Sequence, residues 1–181
     1  SPENNYMIWH FLKVCYEKGW IYKGHDSVPW CPRCETAISQ HEMLTEDYKE
    51  ITHKSIYFEL PIEGRENEYL LVWTTTPWTL PANIAVAVDE AQEYSLVEGL
   101  TGSKFWILSA LVEKVFKTEY KQIVKKALGK ELVGLKYSAP FDFLEEVKKL
   151  KAENPDKFHL VVPTDSQIMP ITATDGTGLV H

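Results

Sequence analysis

The first segment of the chain has apolar residues at the spacing of an amphipathic helix. The positions that would share one helical face are Met7, Ile8, Phe11, Leu12 and Cys15. Ser1-Pro2 suits a helix start and Gly19 suits the position just after a helix end, so the pattern predicts a helix over 3–18. We expect Cys15 to be a small buried hydrophobic residue of this helix.

After residue 52 the pattern changes to short apolar or alternating runs bounded by turn residues, which predict strands. The predicted strands cover 55–61, 69–74, 84–88, 94–98, 104–108, 159–162 and 178–181. Helices are predicted over 109–128 and 143–153. Short strands with late helices favour a mainly β, α+β fold with a barrel-like core, and not a βαβ repeat.

Composition and hydropathy exclude several classes of protein. A chain of 181 residues that is 44% hydrophobic and 12% aromatic can bury a core and is not a disordered segment. Charged residues interrupt every apolar run, so we expect no membrane span, no signal peptide and no membrane partner. Three cysteines without a disulfide pattern favour a cytoplasmic location, and the ends at Ser1 and His181 suggest an excised fragment.

The charge is unevenly distributed along the chain. A net charge of −7 argues against a generally basic nucleic-acid binder, although lysines outnumber acidic residues within 113–157. Five lysines there follow nearly helical spacing: Lys114, Lys117, Lys121, Lys125 and Lys126. They would form either a solvated helix face or a patch that faces phosphates.

Cys31-Pro-Arg-Cys34 has the two-residue spacing that lets both thiolates reach one tetrahedral zinc ion. The prolines indicate a tight turn, which fits a zinc knuckle better than a redox motif at a helix N-terminus. A full site needs two more ligands, and no second cysteine pair exists in the chain. Half of a zinc site, no metal and a redox pair all remain open from the residues alone.

Two stretches could carry chemistry. Four threonines and an asparagine follow an apolar strand within 73–83, where two prolines stiffen the loop and would present hydroxyls to a ligand. The alternative is a bend whose threonines satisfy strand ends. The final stretch, 174–181, places two glycines around Thr177 and ends in His181, which is either a site residue or an ordinary strand histidine.

Together these stretches resemble isoleucyl-tRNA synthetases at the editing domain inserted into their class I catalytic body. The pieces that carry the resemblance are 19–24, 29–34, Trp73-Thr-Thr-Thr-Pro-Trp-Thr-Leu-Pro-Ala-Asn83, 132–137, 140–142 and Asp175-Gly-Thr-Gly-Leu-Val-His181. The valine and leucine relatives carry a threonine-rich loop that typically continues with Arg-Pro. Thr76-Pro77-Trp78 and Pro81-Ala82-Asn83 instead look like the isoleucine branch.

The resemblance implies a lead-in segment with a helix and half a zinc knuckle over 1–45, and a barrel-like editing domain over 46–181 that is truncated at its C-terminus. It implies hydrolysis of valyl-adenylate and of valine wrongly attached to the 3′ end of isoleucine tRNA. Valine lacks one methylene, which is worth only about 1–3 kcal/mol in a pocket, a value established for this class of enzyme. Attachment of isoleucine with ATP would occur elsewhere in the synthetase.

Site residues follow from the resemblance position by position. Thr74, Thr75 and Thr76 would act on the ester, while Trp78 and Thr79 would shape the wall of the pocket. Asn83 would contact the nucleotide end or brace the loop. His181 would exclude the extra methyl group of isoleucine, and a positioned water would attack the carbonyl with help from hydroxyls and backbone amides.

Two features of the family fall outside this chain. An aspartate that holds the substrate's ammonium follows the histidine in the family, and a second cysteine pair completes the zinc site with Cys31 and Cys34. Editing itself would need no cofactor, whereas the full-length enzyme would use ATP and zinc. The remainder of the synthetase would be a partner.

Three other interpretations stay open. In the first, the module belongs to a valyl- or leucyl-tRNA synthetase. In the second, it is a zinc-ribbon binding module. In the third, it is a non-catalytic tRNA-docking module, in which Lys121, Lys125 and Lys126 would carry tRNA binding and the threonines would have no catalytic effect.

Overall fold

A computed structural model describes residues 1–45, 52–164 and 170–181. The chain forms two compact units, Ser1–Ile51 and Thr52–His181. None of the helices within the described ranges combines the length and apolar character that a membrane crossing requires.

The first unit begins with the predicted helix, α1 (Pro2–Glu17), which is confirmed and buries Cys15. Gly19 takes φ +71° and donates to the carbonyl of Tyr16, while Trp20 donates to that of Cys15, which is a Schellman end. A hairpin of β1 (Trp30–Cys31) and β2 (Thr36–Ala37) follows, and then α2 (Gln40–Thr45).

The described part of the second unit contains seven strands and two α-helices. The elements are β3 (Ile56–Pro61), β4 (Glu68–Thr74), β5 (Ala85–Val88), β6 (Glu93–Gly99), β7 (Lys104–Leu108), α3 (Val112–Phe116), β8 (Tyr120–Leu128), α4 (Glu145–Glu153) and β9 (Leu160–Pro163). One sheet has the order β3-β4-β7-β6-β8, with β4 and β7 parallel, and β5 pairs with β9 in a parallel two-stranded sheet. The α+β prediction is confirmed.

The core of the second unit lies between these strands. Its largest fully buried side chains include Trp106, Tyr94, Tyr137, Leu60, Leu70, Ile107 and Leu108. β4 is apolar over most of its length because both of its faces are covered, which agrees with the continuous apolar run in its sequence.

The helix predicted over 109–128 is wrong. α3 ends at Phe116, Lys117 takes φ +54°, and the chain continues as β8 at an edge of the sheet. A spacing of four residues fits one face of a helix and one face of a strand equally, so the lysine pattern could not separate them. Pairing with β6 decides the conformation, and charged side chains are typical of edge strands.

The last residues do not form the strand predicted over 178–181. They contribute one isolated bridge, in which Val180 exchanges backbone hydrogen bonds of 2.7 and 3.1 Å with Ala87 of β5. Thr177 accepts from the backbone N–H of Leu108 at 2.9 Å, so the segment also touches the end of β7. Backbone pairing therefore fixes this segment across two different sheets.

The buried side chain of Tyr94 also binds the terminal segment 177–180. Burial raises the pKa of Tyr94 to about 12, so its hydroxyl keeps its proton and donates to the carbonyl of Gly178 at 2.8 Å. Gly178 takes φ +76°, and a Cβ there would overlap with Cβ of Leu108. Only glycine permits both this backbone conformation and this close approach.

We expect Gly178→Ala to lower the free energy of unfolding by about 1–3 kcal/mol more than Gly102→Ala does. Gly102 also has a positive φ, +94°, but a Cβ there meets nothing within 4 Å. The difference between the two variants in urea denaturation therefore isolates the overlap with Leu108. Equal losses would show that the segment does not pack against β7 as described.

Candidate functional site

A cavity of about 350 Å³ lies between the threonine-rich loop and the last residues of the chain. Its lining comes from 73–76, 170–172 and 175–181. Three of the candidate threonines, Thr74, Thr75 and Thr76, therefore meet His181 around one space, although more than a hundred residues separate them in sequence.

The loop keeps its shape through local hydrogen bonds of its threonines. β4 ends at Thr74, and a 3₁₀ helix over Pro77–Ala82 follows, with Pro77 at its first position. The hydroxyl of Thr74 accepts from the backbone N–H of Thr76 at 3.1 Å, and the hydroxyl of Thr79 donates to the carbonyl of Thr76 at 2.6 Å. These hydrogen bonds stabilise the turn that follows β4 and keep the threonine hydroxyls close together.

His181 joins this cluster directly. Its Nε2 lies 2.9 Å from the Thr74 hydroxyl, and its ring meets the edge of Phe58 with centroids 5.5 Å apart. Burial lowers the pKa of His181, so the ring is neutral at neutral pH. Because Thr74 and Phe58 both contact the neutral ring of His181, the ring forms a fixed wall of the cavity.

A second cavity of about 440 Å³ also borders the loop, and its lining includes Thr76, Thr79, Asn83 and His181. Thr76 and His181 border both cavities. Trp78 lies outside both linings, and 74% of its surface is exposed. All but one of the residues assigned to the loop by resemblance thus border a cavity.

Asn83 is buried at the end of the loop, and its side-chain amide is bound on both sides. Its Nδ2 donates to the carbonyl of Ala85 at 3.0 Å, and its Oδ1 accepts from the hydroxyl of Tyr137 at 2.6 Å. Of the two roles considered for Asn83, these contacts favour bracing of the loop.

Sequence reasoning missed the residues that support Asn83. Tyr137 follows β8 in the chain, and His159 directly precedes β9, where its Nε2 lies 3.3 Å from the carbonyl of Asn83. Nothing in the local sequence marks His159, because its role depends on a residue 76 positions away. Asp142 lies beside it, with Oδ1 3.4 Å from Nδ1 of His159.

The cysteine pair lies in the first unit, at the turn of the β1–β2 hairpin. The backbone N–H of Cys34 approaches Sγ of Cys31 at 3.4 Å. Backbone hydrogen bonds from Cys34 and Arg33 lower the pKa of Cys31, which favours the thiolate that a zinc ligand requires. Among the described residues no cluster of three or more metal-binding side chains forms.

The candidate lysines lie on α3, just after its end and on β8, and not on one long helix. Lys121 and Lys126 form cross-strand ion pairs with Glu98 at 3.5 Å and Glu93 at 2.8 Å. Lys114 instead binds the carboxylate of Asp175, a residue that lines the first cavity, at 2.6 Å. Two of the three lysines considered for tRNA docking therefore already have acidic partners.

Comparison with known proteins gives a consistent result. The family model for class I tRNA synthetases (I, L, M and V) matches residues 1–132. An isoleucine–tRNA ligase of Clostridium novyi (strain NT) is 42% identical over 98% of the chain, and one of Pyrococcus furiosus is 43% identical over 99%. The chain spans only 16% and 17% of these two relatives.

The fold has a counterpart among solved structures. The editing domain of P. knowlesi cytosolic leucyl-tRNA synthetase matches 71% of the chain with a TM-score of 0.52, over 57% of its own length. The sequence identity is 12%, so this likeness concerns the fold alone.

Because burial lowers the pKa of His181 below the 6.5 of an unburied histidine, the unfolded chain takes up a proton more readily than the folded one. We expect the free energy of unfolding to fall as the pH decreases from 7.5 to 5.5. His181→Gln should make this decrease shallower, because glutamine takes up no proton in this pH range. Identical slopes for the wild-type chain and this variant in denaturant titrations would contradict the buried neutral ring.

Proposed function

We propose, since the chain belongs to the class I tRNA synthetase family, that it is the editing domain of an isoleucine enzyme. Its reaction is hydrolysis of valine from mischarged isoleucine tRNA and from valyl-adenylate. The observation that carries this proposal is the convergence of Thr74 and His181, 2.9 Å apart, on a cavity that three consecutive threonines line.

The reaction needs a water, a polarised carbonyl and a leaving ribose hydroxyl. Water oxygen bonds to the ester carbon, the bond to the ribose oxygen breaks, and a proton passes to that oxygen, which releases valine and free tRNA. Hydroxyls of Thr75 and Thr76 would position the water and stabilise the developing oxyanion, with the substrate's own ribose hydroxyl assisting. Thr74 would act mainly through His181, because its hydroxyl is already shared with Nε2 and with the Thr76 N–H.

Selectivity would come from the fixed ring of His181. Phe58 on one side and Thr74 on another prevent the ring from moving aside. Valine would fit against it, whereas isoleucine's additional methyl group would meet the ring. A steric wall can reject isoleucine because isoleucine is larger than valine. The synthetic site cannot reject valine in the same way, because valine is smaller and loses only the burial of one methylene there.

The proposal includes the partners of a complete synthetase. Isoleucine tRNA would present its 3′ end to the cavity, and the rest of the enzyme, in the cytoplasm, would attach isoleucine with ATP. Cys31 and Cys34 would supply two thiolates to a zinc ion that a second cysteine pair completes. An aspartate expected beyond His181 would hold the substrate's ammonium group.

The decisive assay measures deacylation of isoleucine tRNA charged with valine or with isoleucine. We expect valine to be released at least about 10-fold faster than isoleucine, because the extra methyl group of isoleucine would meet the fixed His181 ring. If neither amino acid is released, the assay is repeated with a chain extended past His181. Absence of activity there as well, with tRNA binding lost on Lys125→Ala, would favour the non-catalytic docking module.

His181→Ala should widen the cavity and let isoleucyl-tRNA be hydrolysed. We expect the preference for valine to fall about 10-fold or more, because the wall that meets the extra methyl group is gone. His53→Ala, at an exposed position outside both cavities, is the matched control. Unchanged discrimination in the His181 variant would remove the size-gate role.

A further inference from the structure

We infer that His159 is a positioning residue for the editing site, because it holds the Asn83 end of the threonine-rich loop in place. This inference rests on the proposed function and extends it to a residue that lines neither cavity. His159 lies at the start of β9, and 1% of its surface is exposed.

The contact with Asn83 dictates the tautomer of the ring. A backbone carbonyl only accepts hydrogen bonds, so Nε2 of His159 carries a proton and donates to the Asn83 oxygen at 3.3 Å. The backbone of His159 also binds the end of the loop, because its N–H donates to the carbonyl of Ile84 at 2.7 Å. Two successive carbonyls at the loop end are therefore bound by one residue.

The other ring nitrogen of His159 lies beside a carboxylate. Nδ1 of His159 and Oδ1 of Asp142 lie 3.4 Å apart, yet neither atom has a hydrogen-bond partner in the part of the chain that the structure describes. Asp142 directs its other oxygen to Lys151 at 3.2 Å and to the Ala139 N–H at 3.3 Å. The ring is thus oriented by Asn83, at the expense of an unsatisfied pair on its opposite side.

Protonation of Nδ1 would satisfy both atoms, but burial opposes it. Burial lowers the pKa of His159 and outweighs the nearby carboxylate of Asp142, so the ring stays neutral. Neutral imidazole donates from one nitrogen only, and that donor faces the loop.

The backbone of His159 is also held in a costly conformation. Its φ is +54°, which is uncommon outside glycine. Tyr137 stacks on the ring with centroids 5.0 Å apart, and Phe158 lies against it at 4.4 Å. The conformation aims the ring at the loop, and the two aromatic side chains keep it there.

The loop end transmits this constraint to the cavity wall. Asn83 and Ile84 border the second cavity together with Thr76, Thr79 and His181. The Tyr137 hydroxyl fixes the Asn83 side chain, and the His159 ring fixes the Asn83 backbone. Without the ring, the loop is free to shift at this end, and a displacement of about 1 Å can lower a reaction rate about 100-fold.

Two conservative variants separate positioning from packing. Glutamine places its amide nitrogen about where Nε2 lies and can still donate to Asn83, whereas asparagine reaches only the Nδ1 position. The positive φ favours asparagine over glutamine, so the backbone and the hydrogen bond make opposite predictions. We expect kcat for valine release to fall about 10-fold or more in His159→Asn, and to stay within about 3-fold in His159→Gln.

Val97→Ala removes buried methyl groups from β6, away from both cavity linings, and controls for lost stability. All variants are assayed below their measured melting temperatures. NMR signals of Thr76 and His181 are recorded in parallel, and we expect them to move in His159→Asn but not in His159→Gln.

The two readouts distinguish the two proposals. If the wild-type chain releases no valine, even when extended past His181, the proposed function fails, and the NMR signals alone decide whether His159 positions the loop. If the wild-type chain is active and folded His159→Asn releases valine equally fast, the inference is overturned while the proposed function stands. Equal losses in the asparagine and glutamine variants would also overturn it, because packing alone would then explain them.

Discussion

The site depends on one constraint, the docking of the last residues across the ends of β5 and β7. Thr177 pairs with Leu108 and Val180 pairs with Ala87, so backbone hydrogen bonds fix the segment at two points. Gly178 lies between them, where its missing side chain permits close approach to β7. This docking brings His181 to the end of β4, and without it the threonine-rich loop would border open solvent.

The chemistry available at this site is that of neutral hydrogen-bonding groups. Thr74, Thr75, Thr76 and a neutral His181 meet around the cavity, while Asp175 is paired with Lys114. In the proposed reaction such a set would orient a water and an ester, and the described lining residues include no serine or cysteine nucleophile. Positioning would then supply most of the rate, and residues such as Tyr137 and His159 brace the loop from behind.

Local sequence gave correct expectations where one element decides its own conformation. α1 was predictable because its apolar spacing and the glycine that ends it lie within one segment. The strand that became β4 was predictable from a continuous apolar run. The segment 109–128 was not, since its lysine spacing suits helix and strand alike, and only pairing with β6 makes 120–128 an edge strand.

The sequence by itself determined the family and the candidate loop, because the threonines, prolines and Asn83 are contiguous and carry their motif without any tertiary contact. It also contained His181, but not the reason for its position. Only the tertiary structure decided that His181 meets Thr74 and that His159 meets Asn83. Each pairing joins residues far apart in the chain, and their distance depends on how the strands between them pack.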